Sequence, residues 1–530
     1  MKKFIITTSV LLIAAVAITV VYFKHLNTPA ARTARVMQSI PNTAALVFEF
    51  NNDDGFYDIF AGNPLLLDIT GEDHMNELAT LRKKLLQAPL LKDFFTGQHI
   101  YVSLRGDARD SVDFLLTISG GETFSINHLD ELAKQTDTDM FIRPVKLGAK
   151  DAYNIYFKDL KRRFYLVNLG NHIFSGSFSK ALALESAQYQ PAKSKQDFLQ
   201  IPDQQNSNSL ANLYINYAQL SPLFDQFFAA KNTSVFRTIR MLPALASLTL
   251  NFKTDALMFN GITTILHNQP ASYLTLFHNQ QPIAGNLKDI FPSTTALSIS
   301  FALSDVKKFR DNLNKFHINA GLTADKNNLF NKIKSETGIA LNTEFGNLLT
   351  GEFAILTTKF DEKFGIVALN NGSAMRPLMV DISKMVNDDV GQFKYDKIPY
   401  YLLGDAFNVF THPYFMILDN YLIIANSTNE LASYKDTYQN HKFLTKTAGY
   451  TEFDNLLAAR SNVAFFLHFR NIFPILKRDL KPTFSPLFNP ENKTGNKFYA
   501  LSWQFSAADG EFYTNFYMRL AKSDSLTTNN

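Results

Sequence analysis

The sequence predicts an α+β fold. Two tandem, pseudo-repeated halves carry mostly antiparallel sheets with helices packed on one face, behind one transmembrane helix. Three observations lead there. One uncharged apolar stretch stands near the N-terminus, and no later stretch matches it in length. The long remainder alternates strand-like runs with helical periodicity. Short landmarks from its first part return in the same order roughly 250 residues later.

The anchor comes first. Met1-Lys2-Lys3 precede the uncharged run Phe4–Phe23. A helix of that length spans about 30 Å, the hydrocarbon thickness of a bilayer. A cleaved leader has a shorter apolar region and small residues before its cleavage site. The following "NTPAARTARV" offers poor sites, so an uncleaved signal-anchor is expected. Residues 1–3 are then a cytoplasmic tail, 4–23 the membrane segment and 24–40 a stalk. Lys2 and Lys3 stand on one flank and Lys24, Arg32 and Arg35 on the other, a nearly even bias. A short tail before a large domain favours export of the body.

Composition bounds the rest. The 530 residues are 46% hydrophobic and 19% charged, enough for more than one buried core. A formal net charge of +4, with no basic run longer than Arg82-Lys83-Lys84 or Lys161-Arg162-Arg163, argues against nucleic acid. The chain has no cysteine. That excludes disulfides, thiolate chemistry, Cys-ligated metals and an acylated-Cys anchor. The 48 phenylalanines read first as core filler, and second as the lining of an apolar ligand cavity.

The repeat is read from five landmarks. "PNTAALVFEF" at Pro41 matches "PSTTALSISF" at Pro292, and Thr96-Gly97 matches Thr350-Gly351. "LGNHIFSGSFSKAL" at Leu169 matches "LDNYLIIANSTNEL" at Leu418. Pro222 falls on Pro474, and "LTLNFKTD" falls on "SWQFSAAD". The halves are set at 41–270 and 288–521, with 271–287 as connector and 522–530 as a disordered tail. The connector's apolar residues are expected to pack between the halves.

Within each half the elements follow one order. "AALVFEF" is a strand, and Asn51-Asn52-Asp53-Asp54-Gly55 reads as an Asx cap before a helix. In the second half Ser304 is the expected cap, with Val306, Phe309 and Leu313 on one helix face. Leu78, Leu81 and Leu85 mark a further helix. Thr96-Gly97 is a turn into a strand rather than a phosphate loop, since no helix N-terminus follows. Two hairpins come next, then a helix beginning near Ser179 or Thr428. "SLANLYINY" is a strand, after which Ser221 and Pro222 suit the cap and first position of a helix. Two antiparallel strands close the half.

The run Ile333–Phe360, "IKSETGIALNTEFGNLLTGEFAILTTKF", ends a helix at Glu336-Thr337-Gly338 and turns through Leu-Thr-Gly-Glu into a strand. It resembles a widespread bacterial family of uncharacterised exported proteins with one N-terminal membrane anchor. The Pro-x-x-Ala strand starts at Pro41 and Pro292 are similar too. The first half departs from the pattern, because no Glu-Thr-Gly precedes Thr96-Gly97. The resemblance implies topology and location, and no activity.

The chemistry-bearing motifs are missing: Walker A, G-x-G-x-x-G, G-x-S-x-G and H-E-x-x-H. "SGSFS" at Ser175–Ser179 reads as a hairpin end, and Asp137-Thr138-Asp139 and Asp388-Asp389 as surface loops. His99 and His468 read as half-exposed strand residues. No catalytic, cofactor-binding or metal residue is therefore expected, and no cofactor; any ligand-binding residues stay unknown. The expected role is non-enzymatic: binding, scaffolding or envelope assembly by a body held outside the bacterial cytoplasmic membrane, with an envelope protein or lipid as partner. The alternatives are a carrier or chaperone for an apolar ligand such as lipid, and a hydrolase whose site would differ between the halves.

Overall fold

The computed structural model describes residues 35–62, 72–105, 113–121, 123–125, 127–134, 139–190, 209–229, 241–253, 255–482 and 497–521. The expected anchor Phe4–Phe23, most of the stalk, Asp137 and the tail 522–530 lie outside the described residues. Among the described residues no helix is long and apolar enough to cross a membrane.

The fold is α+β with one large antiparallel sheet. Its strands up to the connector are β1 (Leu46–Asn51), β2 (His99–Leu104), β3 (Phe114–Ser119), β4 (Met140–Leu147), β5 (Lys150–Phe157), β6 (Arg162–Gly170), β7 (Ile173–Ser177), β8 (Ala211–Asn216), β9 (Ala244–Lys253) and β10 (Ala256–Ile265). After it come β11 (Thr295–Ala302), β12 (Leu349–Thr358), β13 (Lys363–Leu369), β14 (Ser383–Met385), β15 (Val390–Phe393), β16 (Tyr414–Leu418), β17 (Tyr421–Ala425), β18 (Val463–His468), β19 (Phe498–Ala508) and β20 (Glu511–Leu520).

Pairings run β4-β5-β6-β7-β3-β2-β1-β8-β9-β10 on one side. They run β14-β15-β16-β17-β13-β12-β11-β18-β19-β20 on the other. The strand order is the same when each strand is advanced by ten. The two sides are not separate sheets, because β10 pairs with β20 from Ala256↔Arg519 to Thr263↔Phe512. Every one of these pairings is antiparallel.

Helices cover both faces at the flanks of the sheet, not one. On β12, Phe353 joins the core that runs through both halves, while Ala354 and Leu356 join a second core on the opposite face. Burial on both sides explains why β13 and β7 read as unbroken apolar or small runs instead of alternating ones. In the first half the second face is covered by residues 36–44 and by the helix Lys180–Gln188.

Several local readings hold, with corrections. Asp53 Oδ1 accepts from Phe56 N at 2.7 Å and caps the helix Asp54–Gly62. The helix Thr323–Thr337 ends on Gly338 at φ +78°. The helix Val306–Asn319 is capped by Asp305, not Ser304: Asp305 Oδ1 accepts from Lys308 N at 2.8 Å. Ser304 instead bonds Gln280 and Gln281 of the connector. Pro222 and Pro474 do not open their helices but lie inside Tyr217–Phe227 and Phe469–Asp479. Each helix starts directly from its strand, and the proline removes one intrahelical bond in the second turn. Thr96-Gly97 is a turn before β2, whereas Gly351 lies inside β12 at an irregularity in its pairing with β13.

The connector is structural. Tyr273, Leu274, Leu276 and Phe277 are buried. The Phe277 ring stacks on Phe301 at 5.0 Å, and Phe301 stacks on Phe353 at 5.0 Å. Each such side chain contributes about 1.5–3 kcal/mol by burial. From the first half, Tyr217 reaches across to Trp503 at 5.7 Å between ring centres.

Candidate functional site

A cleft of about 860 Å³ opens beside that connector. Leu242, Pro243, Gln269 and Pro270 line it from the first half, and Ala271–Tyr273 from the connector. Ile299, Ile355 and Thr357 form its sheet floor, and Phe316 and Leu322 stand at one end. Its size lies within the range of about 300–1,000 Å³ common for small-molecule sites. In the first-half core, the gap among Leu85, Leu116, Phe124 and Phe164 is about 30 Å³, which is room for about one water.

Residues 398–411 roof the cleft through Tyr400, Asp405, Asn408, Val409 and Thr411. They belong to the connection between β15 and β16, residues 394–413. The matching connection between β5 and β6 is only the turn 158–161. Two glycines let the roof sit down. A Cβ on Gly365 would meet the Phe407 ring at 2.7 Å. A Cβ on Gly404, whose φ is +92°, would meet the Tyr273 ring at 2.1 Å. The Tyr273 hydroxyl donates to Leu403 O, tying connector to roof.

Two polar groups in the cleft are uncompensated. Ser272 is buried, and its hydroxyl has no hydrogen-bond partner. Lys363 lines the cleft, and no carboxylate among the described residues pairs with its ammonium. Next to the cleft, Lys326 is buried and donates to Asn314 Oδ1 at 2.6 Å. Burial, then the charge of Arg310, lowers its pKa to about 8. Burial, then Lys326, lowers His317 to about 4.

A second polar site lies in the first half, on the opposite face. Glu49 is 1% exposed at the centre of β1. It accepts from the hydroxyls of Tyr101 at 2.7 Å and Tyr214 at 2.5 Å, and from Asn212 Nδ2 at 3.2 Å. His99 Nδ1 lies 2.9 Å away. Burial alone raises a carboxyl pKa; here the bonds from His99, Tyr214 and Tyr101, with the charge of His99, outweigh it and hold Glu49 below its ordinary value. With its oxygens so occupied, Glu49 is a fixed anion rather than a proton carrier.

Glu49 belongs to one register row crossing the sheet: Thr117, Tyr101, Glu49, Asn212, Thr249, Asn260, Asn515, Gln504, Ala464, Ser300, Ala354. Directly paired antiparallel residues share a face, so this is a stripe on one side, polar in the first half and small toward the far end of the second.

The features singled out in the sequence are structural. Asn52 bonds Phe95 O and Tyr57, and Asp54 pairs with Arg82. Ser175 bonds Ser186 and Ser177 bonds Phe114 O, both from β7 rather than an elbow. His468 Nδ1 accepts from Asn471 N at 3.2 Å and caps its helix. Asp389 pairs with Lys435 at the surface. The half-exposed strand reading of His99 missed its partner. Glu49 was visible as a charge inside the apolar run "AALVFEF", where the second half has Ser300 at the matching register position. The roof was visible as residues without a repeat mate.

No family model matches the chain, and no curated protein matches it. Among solved structures, crystal form III of TP0453 is similar over 47% of this chain and 89% of that chain, at 12% identity and a TM-score of 0.22. A likeness at that level carries no argument.

Proposed function

We propose that this is a membrane-anchored protein with its body outside the bacterial cytoplasmic membrane, and that the body binds a ligand or partner rather than catalysing a reaction. The cleft beside the connector carries this reading. It joins both halves to the connector, and its roof is a segment that the first half lacks. The matching strand orders support a tandem duplication in which one copy gained the roof. The apolar run Phe4–Phe23 supports the anchor. A carrier role for an amphiphile is the second reading, favoured by the mixed lining of the same cleft. A hydrolase has less support, because Glu49 is saturated by structural donors.

The test is direct. The full chain is expected in the membrane fraction after a high-salt wash, with its body cut by protease added outside intact spheroplasts. Replacing residues 394–413 by the turn 158–161 should abolish recovery of any co-purifying ligand or partner. Retention of the same partner by that variant would remove the cleft from the argument.

A further inference from the structure

We infer that the cleft takes an amphiphile with an anionic head, a carboxylate or a phosphate on an acyl chain. This rests on the binding reading above and adds its chemistry. Leu242, Ile299, Ile355, Phe316 and Leu322 supply an apolar lining for a chain. Lys363 supplies an ammonium at the same wall. Glu430 Oε1 accepts from the Lys363 backbone N at 3.2 Å, but the ammonium makes no ion pair among the described residues; such a half-buried cation favours an anion, and a charge-assisted bond is about twice as strong as a neutral one. Asp405 stands in the roof beside Tyr273, whose pKa is raised by burial first and by Asp405 second. The anionic head belongs at Lys363, and the chain lies along the apolar wall. In the first half the position matching Lys363 by register is Phe114, which is buried. The cation is thus particular to the half that carries the roof.

Photolabelling of the full chain in isolated membranes tests this. The probes are a diazirine-bearing palmitic acid, its methyl ester, and a diazirine-bearing lysophosphatidic acid. Labelled peptides are mapped by mass spectrometry. At least one anionic probe is expected on 241–243, 297–299 and 355–363, with the ester weaker by about tenfold, the loss of one charge-assisted bond. Lys363→Gln should bring the anionic probe down to the level of the ester, and Lys363→Arg should restore it; circular dichroism checks that both variants fold. Labelling by the acid alone marks a free carboxylate amphiphile, and labelling by the phosphate alone marks a phospholipid-type head. Equal labelling by ester and acid, indifferent to Lys363→Gln, overturns the anionic head and leaves the binding cleft standing. Absence of label on these segments from every probe overturns the amphiphile altogether, and recovery of a different partner through the roof would then keep the binding reading separate.

Discussion

The two halves share one strand order and spend their polar residues differently. The first half buries a carboxylate among three hydrogen-bond donors and the His99 ring at the centre of its sheet. At the matching row the second half sets Ser300 between Ala354 and Ala464. The second half instead carries a long roof and an uncompensated lysine where the first has a four-residue turn and a phenylalanine. Shared features therefore report architecture, and the differences report what each half does. The Glu49 cluster ties three strands together, and the cleft leaves the Lys363 ammonium without an ion pair among the described residues.

The largest expected effect breaks the first difference. Glu49→Ala leaves the buried hydroxyls of Tyr101 and Tyr214 without their acceptor. Losing one member of such a buried network costs about 3–5 kcal/mol. Ser300→Ala, at the matching position, should stay within about 1 kcal/mol. Urea unfolding of the two variants compares them directly. Near-equal shifts would mean that the first-half cluster does not lock its strands.

The roof comes next. Gly404→Ala forces a side chain onto φ +92° and against the Tyr273 ring. The backbone alone costs about 1–3 kcal/mol. At the matching turn the sign reverses: Lys161 already sits at φ +51°, so Lys161→Gly should be neutral or stabilise by up to about 1 kcal/mol. Thermal unfolding of both variants decides this, and a neutral Gly404→Ala would mean that the roof is not seated on the connector.

Acid should separate the halves in time. His317 and His468 in the second half are held neutral by burial first, each lowered to about 4, with Lys326 and Arg470 adding to it. Their folded pKa lies below the unfolded value, so the stability they contribute is present above about 6.5 and lost as pH falls toward 4. Protonating His468 also removes the acceptor that caps Phe469–Asp479. Glu49 is depressed too, but its contribution is lost only below the ordinary carboxylate range. Hydrogen exchange at pH 5, corrected for intrinsic rates, should loosen 306–319 and 463–479 before β1, β2 and β8. The reverse order would remove His317 and His468 as the acid-sensitive groups.

How much of this was legible depends on the range of the interaction. Local chemistry was readable. Asp53 caps three residues on, Gly338 takes the left-handed turn, and the strands show their alternation. The starts of the two proline helices are not legible because each strand runs straight into its helix with no loop between, and a proline inside the second turn has the same local signature as one at the first position. The Glu49 cluster needed Tyr101 and Tyr214, 52 and 165 positions away; only the folded register brings them together. The cleft was less legible still. Leu242, Ser272 and Lys363 come from three parts of the chain, and each alone is an unremarkable loop or strand residue. The merging of the two sheets was also hidden, because an edge strand and an inner strand of this composition look alike.

The smallest effect concerns that merger. Across the join Asn260 Nδ2 donates to Asn515 Oδ1 at 3.1 Å on the half-exposed polar face. The Thr263 and Thr514 hydroxyls bond at 2.7 Å on the buried face. Water competes for the first pair and not for the second. A double-mutant cycle to alanine should give a coupling of at most about 0.5 kcal/mol for the asparagines, against about 1 kcal/mol for the threonines. The strand pairing itself is common to both, so the difference isolates the contribution of each face. If the asparagine coupling is the larger, the polar stripe rather than the shared core holds the halves together. The first-half network would then continue across the join instead of ending at it.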